Sequence, residues 1–190
     1  MGGGPRLNAP TDDDGARCLA PPGLPTLALV AAEHEHERRW LDDFEPGQAF
    51  SFPGQYVMQA DRMVEFASEF DPQTIHTDPA AAEGELFGGL VASGWHTLGA
   101  TTRLVMGARP LGATPLVGVS IDELRFLEPV RPGDVLTAEA EVLEVRASRS
   151  NPARGYLVLR VVTRRSDGVP VLTQQWTLLL PRRDKAETPT

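Results

Sequence analysis

Lysine is almost missing from this chain of 190 residues: of its 18 basic side chains, 17 are arginine. Cysteine is represented only by Cys18, so no internal disulfide can form, which fits a reducing cytoplasm. No apolar run approaches the ~18 residues that a membrane span needs. No basic segment near the start leads into an apolar one, so a secretory signal is not expected either. Positive charge is in short supply overall: 18 basic residues face 26 acidic ones, a net charge of -8, which argues against a nucleic-acid surface. What remains is a composition of 41% hydrophobic and 23% charged residues, that of a globular protein with a sizeable core, on a length that suits one domain with a tail. The charge is uneven. Residues 1–100 hold 5 basic and 16 acidic side chains, and residues 101–190 hold 13 and 10, so an anionic ligand would find its contacts mainly in the second half.

The chain divides near residue 38. Residues 1–37 open with MGGGPRLNAPTDDDGARCLAPPGLP, rich in Gly, Pro and Asp with few anchors for a core, and are expected to form a disordered extension. TLALVAAEHEHERRW has the composition of a short helix. His34 and His36 lie two apart, which does not share a helix face, so EHEHE reads as a solvated charged run rather than a metal site. A folded domain is expected over 38–183, with a short tail over 184–190.

Within the domain, GQAFSFPGQYVM reads as a strand after a Pro-Gly turn. ADRMVEFASEF places Met63, Phe66, Ala67 and Phe70 at the spacing of an amphipathic helix, which Asp71-Pro72 should end. FDPQTIHTDP follows on the loop leaving that helix. It brings Asp71 and His76 together across a proline, at a place where a scaffold can hold side chains toward a cavity. Asp78, before Pro79, reads as the cap of a further helical turn.

LFGGLVASGWHTLGATTRLVMGAR predicts a second helix opening near Ser93-Gly94, with Trp95, Leu98, Thr102 and Val105 on one face. Its first turn would offer free N–H groups and the positive end of the helix dipole. Gly94 serves either close approach of a ligand or packing. His96 is assigned to packing or to a pocket entrance. Downstream, Leu136, Ala138, Ala140 and Val142 alternate with polar residues, Leu157, Leu159 and Val161 share one face, and Asp167-Gly168 marks a hairpin. One strand before the long helix and four after it predict an α+β antiparallel sheet.

FEPGQAF, FASEFDPQTIHTDPAAA, FGGLVASGWHT and IDELRFLEPVRPGDVLTAEAEVLE occur in the order and spacing of the MaoC-like dehydratases and (R)-specific enoyl-CoA hydratases, which the chain resembles over residues 38–181. The resemblance implies a single hotdog fold, a curled antiparallel sheet wrapped around a long central helix. It implies that Asp71 and His76 form the catalytic pair of a hydratase adding water to a 2-enoyl thioester, with the Gly94 amide as oxyanion donor. Gln73, Ser93, Trp95 and Thr102 would then bind the substrate, carried by CoA or an acyl carrier protein. It further implies no metal or organic cofactor, a homodimer or dimer of dimers, and a cytoplasmic place in fatty acid metabolism.

The chain departs from the better-known hydratase pattern of Gly-Asp-x-Asn-Pro and Ala-His-Gly, having Glu69-Phe70-Asp71-Pro72-Gln73 and Ala92-Ser93-Gly94 instead. The acyl group therefore does not follow from the standard substrates. Two alternatives stand beside the hydratase: a hotdog thioesterase and a non-catalytic acyl-CoA binder. Against the first, GWHTLGATTRLVMGAR carries no carboxylate to act as base or nucleophile.

Overall fold

Five strands carry the architecture of the computed structural model, which describes residues 37–183. The predicted extension up to residue 36, with Cys18, His34 and His36, and the predicted tail over 184–190 lie outside the described residues. The strands are β1 (Ala49–Val57), β2 (Val117–Phe126), β3 (Val135–Ala147), β4 (Arg154–Arg165) and β5 (Pro170–Pro181). Every pairing is antiparallel, in the order β1-β3-β4-β5-β2. β4 turns into β5 at Asp167-Gly168, where Gly168 takes a φ of 86°, a conformation that costs glycine nothing.

Alternation along the strands decides which face is covered. Leu136, Ala138, Ala140 and Val142 of β3, Leu157, Leu159 and Val161 of β4, and Leu172, Trp176, Leu178 and Leu180 of β5 are all buried in one hydrophobic core. Ala100, Leu104 and Val105 of the long helix α4 (Gly94–Ala108) belong to the same core, so the sheet curls around that helix. Each fully buried Leu or Val in such a core contributes roughly 1.5–3 kcal/mol.

Among the described residues the α-helices all lie in the single connection between β1 and β2: α1 (Ala60–Phe70), α2 (Thr74–Thr77), α3 (Pro79–Ala82) and then α4. β1 and β2 are the opposite edges of the sheet, so this connection crosses it from one side to the other. Among the described residues no helix is long and apolar enough to cross a membrane.

Three sequence expectations change. The inner face of α1 is Met63 and Ala67 with Phe66 half-buried, but Phe70 is 62% exposed, so the apolar stripe stops one turn early. The loop expected to carry Asp71 and His76 contains the one-turn helix α2, with His76 inside it. On α4 the buried residues are His96, Thr97, Ala100, Thr101, Leu104 and Val105, whereas Trp95 is 56% exposed and Leu98 and Thr102 are half-buried. The helix is rotated relative to its most apolar face because Thr97 and Thr101 donate their hydroxyls back to Ser93 O and Thr97 O, which makes them acceptable inside.

Candidate active site

The carboxylate and the imidazole are brought together by two chain breaks. α1 ends at Asp71, whose N–H bonds Ala67 O at 2.9 Å while its backbone leaves the helical region before Pro72. Gln73 O then accepts the N–H groups of His76 and Thr77 at 2.9 and 3.1 Å, closing α2 and turning His76 inward. Asp78 stops that turn and caps α3, its Oδ1 accepting from Ala80 N and Ala81 N at 3.0 Å each, the capping role the sequence predicts.

Val91 fixes the imidazole. Its N–H bonds Ile75 O at 3.1 Å, and its carbonyl lies 2.9 Å from Nδ1 of His76, which is buried. A carbonyl only accepts, so Nδ1 bears the proton, and in the neutral ring Nε2 keeps its lone pair. That Nε2 faces Asp71 Oδ2 at 3.5 Å. The carboxylate is itself held at both oxygens: Oδ1 accepts from Gln73 Nε2 and Oδ2 from Ser93 Oγ, each at 2.7 Å. The Gln73 bond, then the Ser93 bond and more weakly the charge of His76, hold the Asp71 carboxyl below the usual carboxylate range against an opposing effect of burial.

The start of α4 closes the site. Ser93, its N-cap, accepts from Trp95 N at 3.2 Å with the same oxygen that donates to Asp71. Gly94 is the first helical residue, and its N–H has no intrahelical acceptor. A Cβ at Gly94 would meet the Phe126 ring at 2.6 Å, so packing alone already requires the absence of a side chain here. Asp71, Gln73, His76, Gly94 and Trp95 line one cavity of about 380 Å³, with Thr97, Phe126 and Leu127 among its other walls. A larger hollow of about 500 Å³ is lined by Arg38, Arg39, Arg109 and Arg183, and among the described residues no imidazole lines it.

Two predicted substrate contacts fall elsewhere. Ser93 is fully buried and spends its hydroxyl on Asp71 and Trp95, so it holds the carboxylate rather than lining the cavity. Thr102 donates to Leu98 O at 3.0 Å and is not in the cavity wall; Thr97, nearer the helix start, is. Val91, Thr97 and Phe126 escaped the sequence reading. Only the position of Thr97 one turn into the helix was there to signal it, whereas Val91 and Phe126 are distant in the chain. His96 packs inside, its ring stacked on Phe66 at 4.9 Å and Nε2 3.1 Å from Tyr56 Oη, and burial pushes its pKa down. Among the described residues no three His, Cys, Asp or Glu side chains cluster to hold a metal.

Comparison with known proteins identifies the family. The family model described as a MaoC like domain matches residues 43–161, which include the carboxylate, the imidazole and the start of α4. YdeM of Bacillus subtilis is 32% identical over 142 residues, covering 75% of this chain and 99% of that protein. The crystal structure of a MaoC-like dehydratase from Rhodospirillum rubrum is 36% identical, with a TM-score of 0.69 over 76% of this chain and 98% of the other. The (R)-hydratase PhaJ1 of Pseudomonas aeruginosa, at 23% identity, shares the fold with a TM-score of 0.59 over 80% of this chain and 95% of its own. The chain belongs to the MaoC-like dehydratase and hydratase family and has its hotdog fold.

Proposed function

We infer that this protein catalyses the reversible addition of water to a 2-enoyl thioester, giving a 3-hydroxyacyl thioester. The observation that carries the reading is the approach of Asp71 Oδ2 to Nε2 of His76 at 3.5 Å, in the cavity that Gly94 at the start of α4 also lines. Hydration needs a base for water, an acid for C2 and a partner for the negative charge that develops on the thioester oxygen. A water held between Asp71 and His76 is oriented by both, and a proton taken from it passes to C2 through the same pair. The free N–H of Gly94 meets the developing oxyanion at a helix start, where the dipole adds to its effect. Gln73 and Ser93 keep Asp71 ionised and aimed. Trp95, Phe126 and Leu127, all partly exposed at the cavity, supply an apolar mouth for the acyl thioester, whether carried by CoA or by an acyl carrier protein.

A second copy of the chain completes this reading. β2 is an edge strand on which Val117, Val119 and Ile121 are each about half exposed, and it runs into Phe126 at the cavity. An apolar sheet edge of this kind is a template for pairing, and a homodimer would cover it.

The test is a panel of trans-2-enoyl-CoA esters with the purified protein, following loss of the conjugated thioester and release of free thiol in the same samples. The expected result is loss of conjugation without thiol, abolished by Asp71→Asn and by His76→Ala. Release of thiol would make the protein a thioesterase, and silence across the panel, with acyl-CoA still bound, would make it a binder.

A further inference from the structure

Gln174 is the most anomalous side chain in the core. It is 2% exposed, and among the described residues neither its Nε2 nor its Oε1 has a hydrogen-bond partner. Trp176, the next residue on the same inward face of β5, is 3% exposed and leaves its Nε1–H unpartnered as well. Three orphaned polar atoms on two neighbouring side chains amount to a buried site with two donors and an acceptor. Leaving such groups unpaired inside a protein is unfavourable, and a leucine at 174 would pack without that cost.

A line of polar residues leads from the cavity in the direction of this place. Thr97 stands in the cavity wall. Its carbonyl accepts the Thr101 hydroxyl at 2.9 Å, and Thr101 Oγ1 meets Thr163 Oγ1 at 2.6 Å. Thr163 is in register with Leu172 of β5, and Gln174 is the next residue on that face. None of these residues is charged, so a charged group would be poorly received there. Along α4 from Gly94 to Thr101 the rise is about 10 Å, the reach of an acyl chain of roughly eight carbons from a thioester at the helix start.

We propose that Gln174, together with Trp176, recognises a hydroxyl group carried on the distal part of the acyl chain, making these two residues determinants of acyl specificity. A hydroxyl both donates and accepts, which suits an amide that offers both and an indole that donates. The inference rests on the thioester reading of the cavity and adds the class of acyl group to it. Thr101, Thr163, Gln174 and Trp176 lie behind the cavity wall, so an acyl chain must pass Thr97 and part the contact between Thr101 and Thr163 to reach Gln174.

The experiment compares kcat/KM for trans-2-enoyl-CoA esters of about six to ten carbons, each with and without a terminal hydroxyl, a range set by the helix rise. The expected result for the unaltered protein is a preference of about ten-fold or more for the hydroxylated ester at one chain length, since a site built to bond a hydroxyl rejects the analogue lacking it. Gln174→Leu, close in volume, should remove or invert that ratio, and Trp176→Phe should reduce it. If Gln174→Leu does not fold, Gln174→Met takes its place. A ratio at or below one in the unaltered protein overturns the proposal. So does a ratio that Gln174→Leu leaves unchanged while raising the melting temperature, which would make this a place for buried water only. Hydration of the plain esters with an unmoved ratio refutes this inference alone. Hydration of no ester refutes the reading of the cavity and this inference with it.

Discussion

Replacing Ser93 by alanine separates two roles that one oxygen performs. Its hydroxyl donates to Asp71 Oδ2 at 2.7 Å and accepts from Trp95 N at 3.2 Å, and the side chain is fully buried. Losing an N-cap costs about 1 kcal/mol of stability. Losing a hydrogen bond to a charged carboxylate costs up to about 1.5–3 kcal/mol, and less where the carboxylate is only partly buried, as Asp71 is. The first loss is independent of pH. The second is a loss of preference for ionised over protonated Asp71, so it lets the carboxyl rise from its depressed position toward the ordinary carboxylate range.

The sign follows from the depressed pKa of Asp71. Its contribution to stability is present above the ordinary carboxylate pKa and is lost as pH falls through the folded value. In Ser93→Ala that contribution shrinks, and the acid limb of kcat/KM moves to higher pH. Near neutral pH Asp71 remains ionised, so the fall in kcat there, about ten-fold, reflects a carboxylate no longer aimed. The assay is a pH profile of enoyl-CoA hydration beside a urea melt of the same proteins. Loss of about 1 kcal/mol with the acid limb unmoved would reduce Ser93 to a helix cap. An unchanged melt and an unchanged profile would refute the geometry around Asp71.

Gly94→Ala should lower activity by displacing Phe126, whose ring lies 2.6 Å from the place the new methyl would take, and Gly94→Ala combined with Phe126→Ala should recover part of it; purely additive losses in that double-mutant cycle would deny the contact. His96 is held neutral by burial, so stability should fall as pH drops below the ordinary imidazole value of about 6.5, where the unfolded chain takes up the proton first; thermal melts of His96→Phe should show that slope flattened. Lysine in place of Val119 or Ile121 should leave a monomer, read by sedimentation at several protein concentrations, and an unchanged mass would move the interface away from β2.

Much of the fold could be read directly. Asp71-Pro72 ends α1, Ser93-Gly94 starts α4, and the alternation in β3 identifies its buried face, because each is a local rule acting within a few residues. The failures are of a different kind. On α4 the spacing picked out Trp95, Leu98, Thr102 and Val105, whereas Thr97 and Thr101 are the buried threonines, their polar hydroxyls satisfied by the helix itself once folded. Ser93 looked like a substrate contact because the carboxylate it serves is 22 residues away. Phe126 gave no signal at all, as its value to the site is its nearness to a glycine on another element. Local chemistry was legible, and contacts between distant segments were not.

The strand order has a consequence for how the molecule comes to be folded. Among the described residues β1 pairs only with β3, Ala49 opposite Glu141, and β2 pairs only with β5. During synthesis both edge strands and every helix therefore leave the ribosome before any strand they can pair with. The meander of β3, β4 and β5 closes short loops and is the natural nucleus, while the edges wait for long-range contacts that cost more chain entropy. The segment carrying Asp71, His76 and Gly94 lies between those two edges, and its contacts with the sheet are expected to form after the meander. Changes in it should speed unfolding more than they slow folding.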